Sequence, residues 1–86
     1  MKMYKAFMAT KEVVEVDVEK TTDHFVIRKE GYRESRKGRY YKYFDNERYG
    51  WIWIAKQYEN MAINYKRMGD QYQKIADEIT AIAKTK

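Results

Sequence analysis

The chain has no cysteine and no proline, one histidine (His24), one serine (Ser35) and four glycines among its 86 residues. Without cysteine it cannot be stapled by disulfides, build a thiolate zinc site or use a cysteine nucleophile, and such a composition suits a reducing cytoplasm. No apolar run approaches the roughly 18 residues of a membrane span. The opening MKMYKAFMA lacks the apolar stretch of a signal peptide, so the expectation is an unprocessed cytoplasmic chain with no membrane partner. Scarcity of His and Ser leaves little material for catalysis. Ser35 lies in a charged segment with no activating base beside it, and a lone His at the start of a strand is usually structural or exposed. Gly31, Gly38, Gly50 and Gly69 are too dispersed for a phosphate or dinucleotide loop. Glu15, Asp17 and Glu19 share a strand face but lack the Gly-turned loop of a cation site, and read as a solvated face. The reading is a protein that is not an enzyme and carries no cofactor and no metal.

What the chain does have is positive charge in one place. The formal net charge is +5. Between Arg28 and Lys42 stand seven cations (Arg28, Lys29, Arg33, Arg36, Lys37, Arg39 and Lys42) against two anions, Glu30 and Glu34, while the other eleven cations are balanced by eleven anions. Tyr32, Tyr40, Tyr41 and Tyr43 are interleaved with them. Cations that track a phosphate backbone, with rings on which bases stack, are the chemistry of a nucleic-acid groove. Arg and Tyr are also the residues enriched at protein hot spots, so a protein surface could use the same side chains. The bland alternative is a solubilising loop over a sheet. Arg28, Lys29, Tyr32, Arg33, Arg36, Lys37, Arg39, Tyr40 and Lys42 are the candidate partner-binding residues.

Periodicity sets the fold class. EVVEVDVE, residues 12–19, alternates as a half-buried strand does, and TTD at 21–23 is turn chemistry. HFVIRK (24–29) reads as a second strand, EGYRESRKG (30–38) as a loop and RYYKYF (39–44) as a third strand. Residues 1–11 either add a short edge strand or fray. An antiparallel meander of three or four strands is the simplest connection. Asp45 is the expected helix N-cap.

From Trp51 one register of alternating three- and four-residue steps continues through Ile54, Tyr58, Met61, Tyr65, Met68, Tyr72, Ile75, Ile79 and Ile82. Ala55, Ala62, Gly69, Ala76 and Ala83 form a small-residue column beside it. The unbroken register predicts one helix from about Asn46 to Lys84, about 57 Å long at 1.5 Å per residue. The alternative is a break at Gly69, with Asp70 capping a second helix that folds back. A rod of that length overhangs a small sheet, and a chain this short gains from oligomerisation. The expectation is therefore an α+β protein, with residues 1–45 forming the sheet and 46–86 a coiled-coil-like helix within one domain. It would be a homodimer through Tyr58, Met61, Ala62, Tyr65, Met68, Gly69, Tyr72, Ile75, Ala76, Ile79 and Ile82.

VVEVDVEKTTDHFVIRKEG, then basic residues, then YYKYFDNERYGWIWIAKQ, resembles the very small accessory proteins encoded by bacteriophages and prophages. Those show a Val/Glu strand, a Thr-containing turn, a second strand, an Arg/Lys stretch and a Tyr-Phe-Asp lead into a helix. The resemblance covers Val13 to Lys56. It implies a counter-defence, anti-CRISPR-like inhibitor that binds a host defence nucleoprotein, such as a CRISPR effector. Acidic members of that functional group mimic DNA; a basic chain would instead grip the effector's nucleic acid or an acidic surface of it. Two alternatives stay open: a small dimeric DNA- or RNA-binding protein using the same patch, and an assembly factor acting through its helix.

Overall fold

The valine alternation does form a strand, the longest of five. The computed structural model describes residues 1–65 and 69–86. It runs β1 (Lys2–Phe7), β2 (Glu12–Thr21), β3 (Phe25–Arg28), β4 (Arg33–Ser35), β5 (Tyr41–Phe44), α1 (Glu47–Asn64) and α2 (Gly69–Lys84). The architecture is α+β, an antiparallel sheet in the order β4-β3-β2-β1-β5 with two helices.

Two strands differ from the sequence reading. Residues 2–7 neither fray nor form an edge: β1 lies between β2 and β5 and pairs with both. Lys5 stands at an inward position between Met3 and Phe7, and that charge hides the strand's alternation. The segment read as a loop contains β4, only three residues long, whose inward side chain is Glu34. A charged three-residue strand shows no apolar period. The chain therefore leaves the meander at its last strand, β5, which pairs with β1.

The sheet curls on itself. β1 pairs with Glu12–Asp17 of β2, whereas β3 pairs with Val18–Thr21, beyond a register shift between Val18 and Lys20. Such irregularities bend a strand and increase its twist. The outer strands then meet: Tyr43 N–H donates to the Arg36 carbonyl (2.9 Å), Gly38 N–H donates to the Tyr41 carbonyl (3.0 Å), and Lys37 pairs with Lys42. Gly38 has no room for a side chain because the Tyr41 ring covers it. The concave face holds Met3, Val16, Val18, Val26 and Tyr43, all buried. On the convex face Ala6, Val13 and Phe44 receive α1, and Gly50 lets the helix close in, a Cβ there meeting both Val13 methyls at 3.2 Å.

Asn46 rather than Asp45 caps α1, its Oδ1 accepting from Arg48 N–H at 2.8 Å; Asp45 is one residue too early. The single long helix is not formed. α1 ends at Asn64, where Tyr65 N–H still bonds to the Met61 carbonyl (2.9 Å), and α2 starts at Gly69 and runs back along α1. The Tyr58 and Tyr72 rings sit 6.2 Å apart, and Lys86 reaches Glu47 at 3.8 Å. The longest dimension of the molecule is 43 Å, shorter than the expected rod. The two halves of the stripe face each other: Ile54, Ala55 and Tyr58 from α1 are buried with Ala76 and Ile79 from α2. The small-residue column serves the same hairpin.

Gly69 belongs to that close approach, since a Cβ there would stand 3.0 Å from the Ala62 carbonyl oxygen. Gly69→Ala is expected to lower stability by about 1 kcal/mol through this clash. In an uninterrupted helix the same change would raise stability by a similar amount, about 1 kcal/mol of helix propensity. The urea midpoint of the variant decides between them by its sign.

Candidate nucleic-acid interface

The segment 28–42 supplies the end of β3, all of β4 and the start of β5, and closure of the curl sets its two ends side by side. Its two anions are spent internally. Glu34 accepts from Lys5 Nζ at 2.8 and 3.0 Å and from the Tyr43 hydroxyl, inside the curl. Glu30 pairs with Arg28 at 3.6 Å. Arg28 is committed to the same interior: it donates to the Tyr43 hydroxyl (3.4 Å), stacks on Tyr32 at 5.3 Å, and buries its Nε without a protein partner among the described residues. Arg28 is thus a structural cation rather than part of an open patch.

Of the remaining cations Lys29, Arg33, Lys37 and Arg39 are exposed, and Arg36 and Lys42 are half-buried. Lys29 sits in the turn opened by Gly31, whose φ of 96° suits glycine. Arg33 lies over the Phe25 ring at 4.3 Å and Arg39 over Tyr40 at 5.4 Å, within cation–π range. Lys42 lies over Phe44 at 5.3 Å. Tyr32 and Tyr40 keep 49% and 56% of their surface exposed even with a guanidinium over one face of each ring, whereas Tyr43 is buried and Tyr41 half-buried. Arg36 donates to the Thr22 carbonyl (3.3 Å) and, with Lys37 and Lys42, lines an open cleft of about 460 Å³ shared with Asp23, His24, Ser35 and Tyr43. His24 sits at the strand start as expected, its carbonyl accepting from Arg36 N–H (2.9 Å). Asp17, on the acidic strand face, is paired with Lys2 at 2.5 Å.

Sequence reasoning missed the group inside the curl. The Lys5 ammonium lies 4.4 Å from the Tyr41 ring centre, 5.0 Å from Phe7 and 5.5 Å from Tyr43, with Glu34 as counter-ion. Burial works against ionised Glu34, yet the hydrogen bonds from Lys5 and Tyr43 outweigh it and hold its carboxyl below the usual 4.5. Burial, reinforced by Glu34, pushes the Tyr43 phenol well above 10. The one legible signal was Lys5 alternating with Met3 and Phe7 at what proves an inward position.

The stripe assigned to a dimer is largely consumed within the chain. Tyr58, Ala76 and Ile79 are buried, and Met61, Tyr72 and Ile75 pack partly buried against them. Tyr58 also donates to the Met8 carbonyl (3.0 Å), tying the hairpin to the β1–β2 turn. Ala62 faces Gly69. Tyr65 and Ile82 remain exposed, and Met68 lies outside the described residues. Compared with family models, curated proteins and solved structures, the chain has no match.

Proposed function

We propose that this protein is a non-enzymatic binder of single-stranded nucleic acid that meets its ligand over β3, β4 and the β4–β5 turn. The observation supporting this reading is the sorting of charge: both anions of the 28–42 segment turn to Lys5 and Arg28, leaving Lys29, Arg33, Lys37 and Arg39 exposed and Arg36 and Lys42 half-buried, with exposed Tyr32 and Tyr40 in the same segment. Cations give a sequence-independent grip on phosphates, and exposed rings favour unpaired bases over a closed duplex.

Fluorescence anisotropy with a short single-stranded oligonucleotide, between about 50 and 200 mM salt, tests it. If all six cations engage phosphates, the slope of log K against log salt should approach about −4. Tyr40→Ala should weaken binding by about 1 kcal/mol, roughly fivefold, with the slope unchanged. Arg39→Gln should make the slope shallower. Binding with no salt dependence, or stronger binding to a duplex than to its separated strand, contradicts the proposal.

A second reading has its own observation. Ile63 and Tyr65, near the end of α1, are 75% and 59% exposed. Nucleic-acid phosphates gain nothing from them, whereas a protein partner does. On this reading the protein inhibits a host defence nucleoprotein, its basic face on the nucleic acid and its helical end on the protein. Capture of one lysate complex that survives nuclease treatment, and is lost in Ile63→Asp, supports it. Self-association, and an assembly role with it, would have to rest on Ile63, Tyr65 and Ile82 rather than on the buried half of the stripe; light scattering at tens of micromolar checks it.

A further inference from the structure

Lys37 and Lys42 stand directly opposite each other where β4 runs on to meet β5. Like charges at opposed positions of a strand pair destabilise it. Neither has an anionic partner among the described residues. Arg36, next along the strand, adds a third positive charge on the same cleft, and its bond to the Thr22 carbonyl anchors the guanidinium while leaving most of its fork open. His24 and Ser35 bring further donors to the lining, and among the described residues Asp23 is the one carboxylate there. The volume, about 460 Å³, lies within the range of about 300–1,000 Å³ typical of small-ligand sites.

We infer that this cleft is a seat for a single phosphate group of a nucleic-acid strand, gripped by Arg36, Lys37 and Lys42. The inference rests on the nucleic-acid reading and sharpens it: most of the basic face tracks the backbone loosely, and this one position fixes a phosphate. A phosphate oxygen matches the planar guanidinium, two opposed ammonium groups close on it from either strand, and its charge removes the Lys37–Lys42 repulsion. Ligand binding and sheet closure are thereby coupled, because the pair lies where the two outer strands join.

The test uses thermal melts of the full chain at constant ionic strength with adenosine 5′-monophosphate, adenosine and added chloride. The monophosphate should raise Tm saturably; adenosine and chloride should not. Lys37→Gln and Lys42→Gln should each abolish that rise. Each should also melt higher than wild type at low salt without ligand, since one opposed charge is gone; a merely structural lysine would melt lower. Each should weaken oligonucleotide binding about tenfold and make the salt slope shallower by about 0.7. No response beyond chloride, or a full response in either variant, overturns the phosphate seat. If oligonucleotides still bind with an unchanged slope in both variants, the seat is refuted while the broader reading stands; if wild type binds no oligonucleotide, both fall.

Discussion

Glu34→Ala should cost about 2–4 kcal/mol, a large share of the stability of a domain this size, about 4–13 kcal/mol. Among the described residues the carboxylate is the sole anion holding Lys5 inside the curl, with 13% and 23% of the two side chains exposed. Removing it strands an ammonium among Phe7, Tyr41 and Tyr43 and takes the acceptor from the Tyr43 hydroxyl. A fully buried pair would cost more, about 3–5 kcal/mol; partial exposure reduces it. Lys5→Met combined with Glu34→Leu should recover most of the loss, because a matched apolar pair leaves no buried charge. Urea denaturation of the three variants measures this, and an Ala variant within about 0.5 kcal/mol of wild type would contradict it.

The same group sets a pH dependence. A carboxylate held below its unfolded value contributes fully above that value and loses its contribution as pH falls through the folded one. Wild type should therefore lose stability as pH drops below 4.5, and Glu34→Gln should flatten that limb. Asp17, lowered by its surface bond to Lys2, leaves a residual slope in the variant. A phenol raised by folding behaves in the opposite sense: its contribution is complete below its unfolded value and is lost above it. Tyr43, and to a smaller degree Tyr41 and Tyr58, should thus make the protein weaken above pH 10. Urea midpoints across the range check both limbs.

Ile54→Ala is the second large effect, expected at about 2–5 kcal/mol. Ile54 is wholly buried at the layer where α1 sits between the sheet and α2, so the removed carbons leave a cavity that two neighbouring elements cannot both collapse into. Ile82, in the same stripe, is 38% exposed, and Ile82→Ala should cost about 1 kcal/mol or less. A rod pairing with its twin would instead make the two positions comparable, and protein concentration would shift both midpoints. Equal, concentration-dependent losses would therefore speak against the hairpin as the arrangement in solution.

The residues that could be read from sequence are those whose neighbours along the chain share their environment. Val14, Val16 and Val18 alternate because β2 has distinct faces, and the Trp51–Ile82 stripe marks the facing apolar sides of α1 and α2. Neither pattern carries the identity of what covers that surface. A heptad stripe folded back on itself has the same spacing as one that runs straight, and Gly69 fits both. Lys5, Glu34 and Tyr43 escaped notice for the converse reason. They are far apart in the chain and individually look like surface residues, and only the pairing of β5 with β1 and of β4 with β3 brings them together.

By itself the sequence determined the α+β class, the helix-forming half and the concentration of surplus charge between Arg28 and Lys42, because composition and period are properties of neighbours in the chain. Tertiary structure alone decided that the stripe closes on itself, that Arg28 and Glu34 turn inward, and that Lys37 is paired opposite Lys42 at the edge of a cleft. Those outcomes depend on which strand edges join and where a helix reverses. Backbone hydrogen bonds and burial settle both at long range, and no local spacing encodes them.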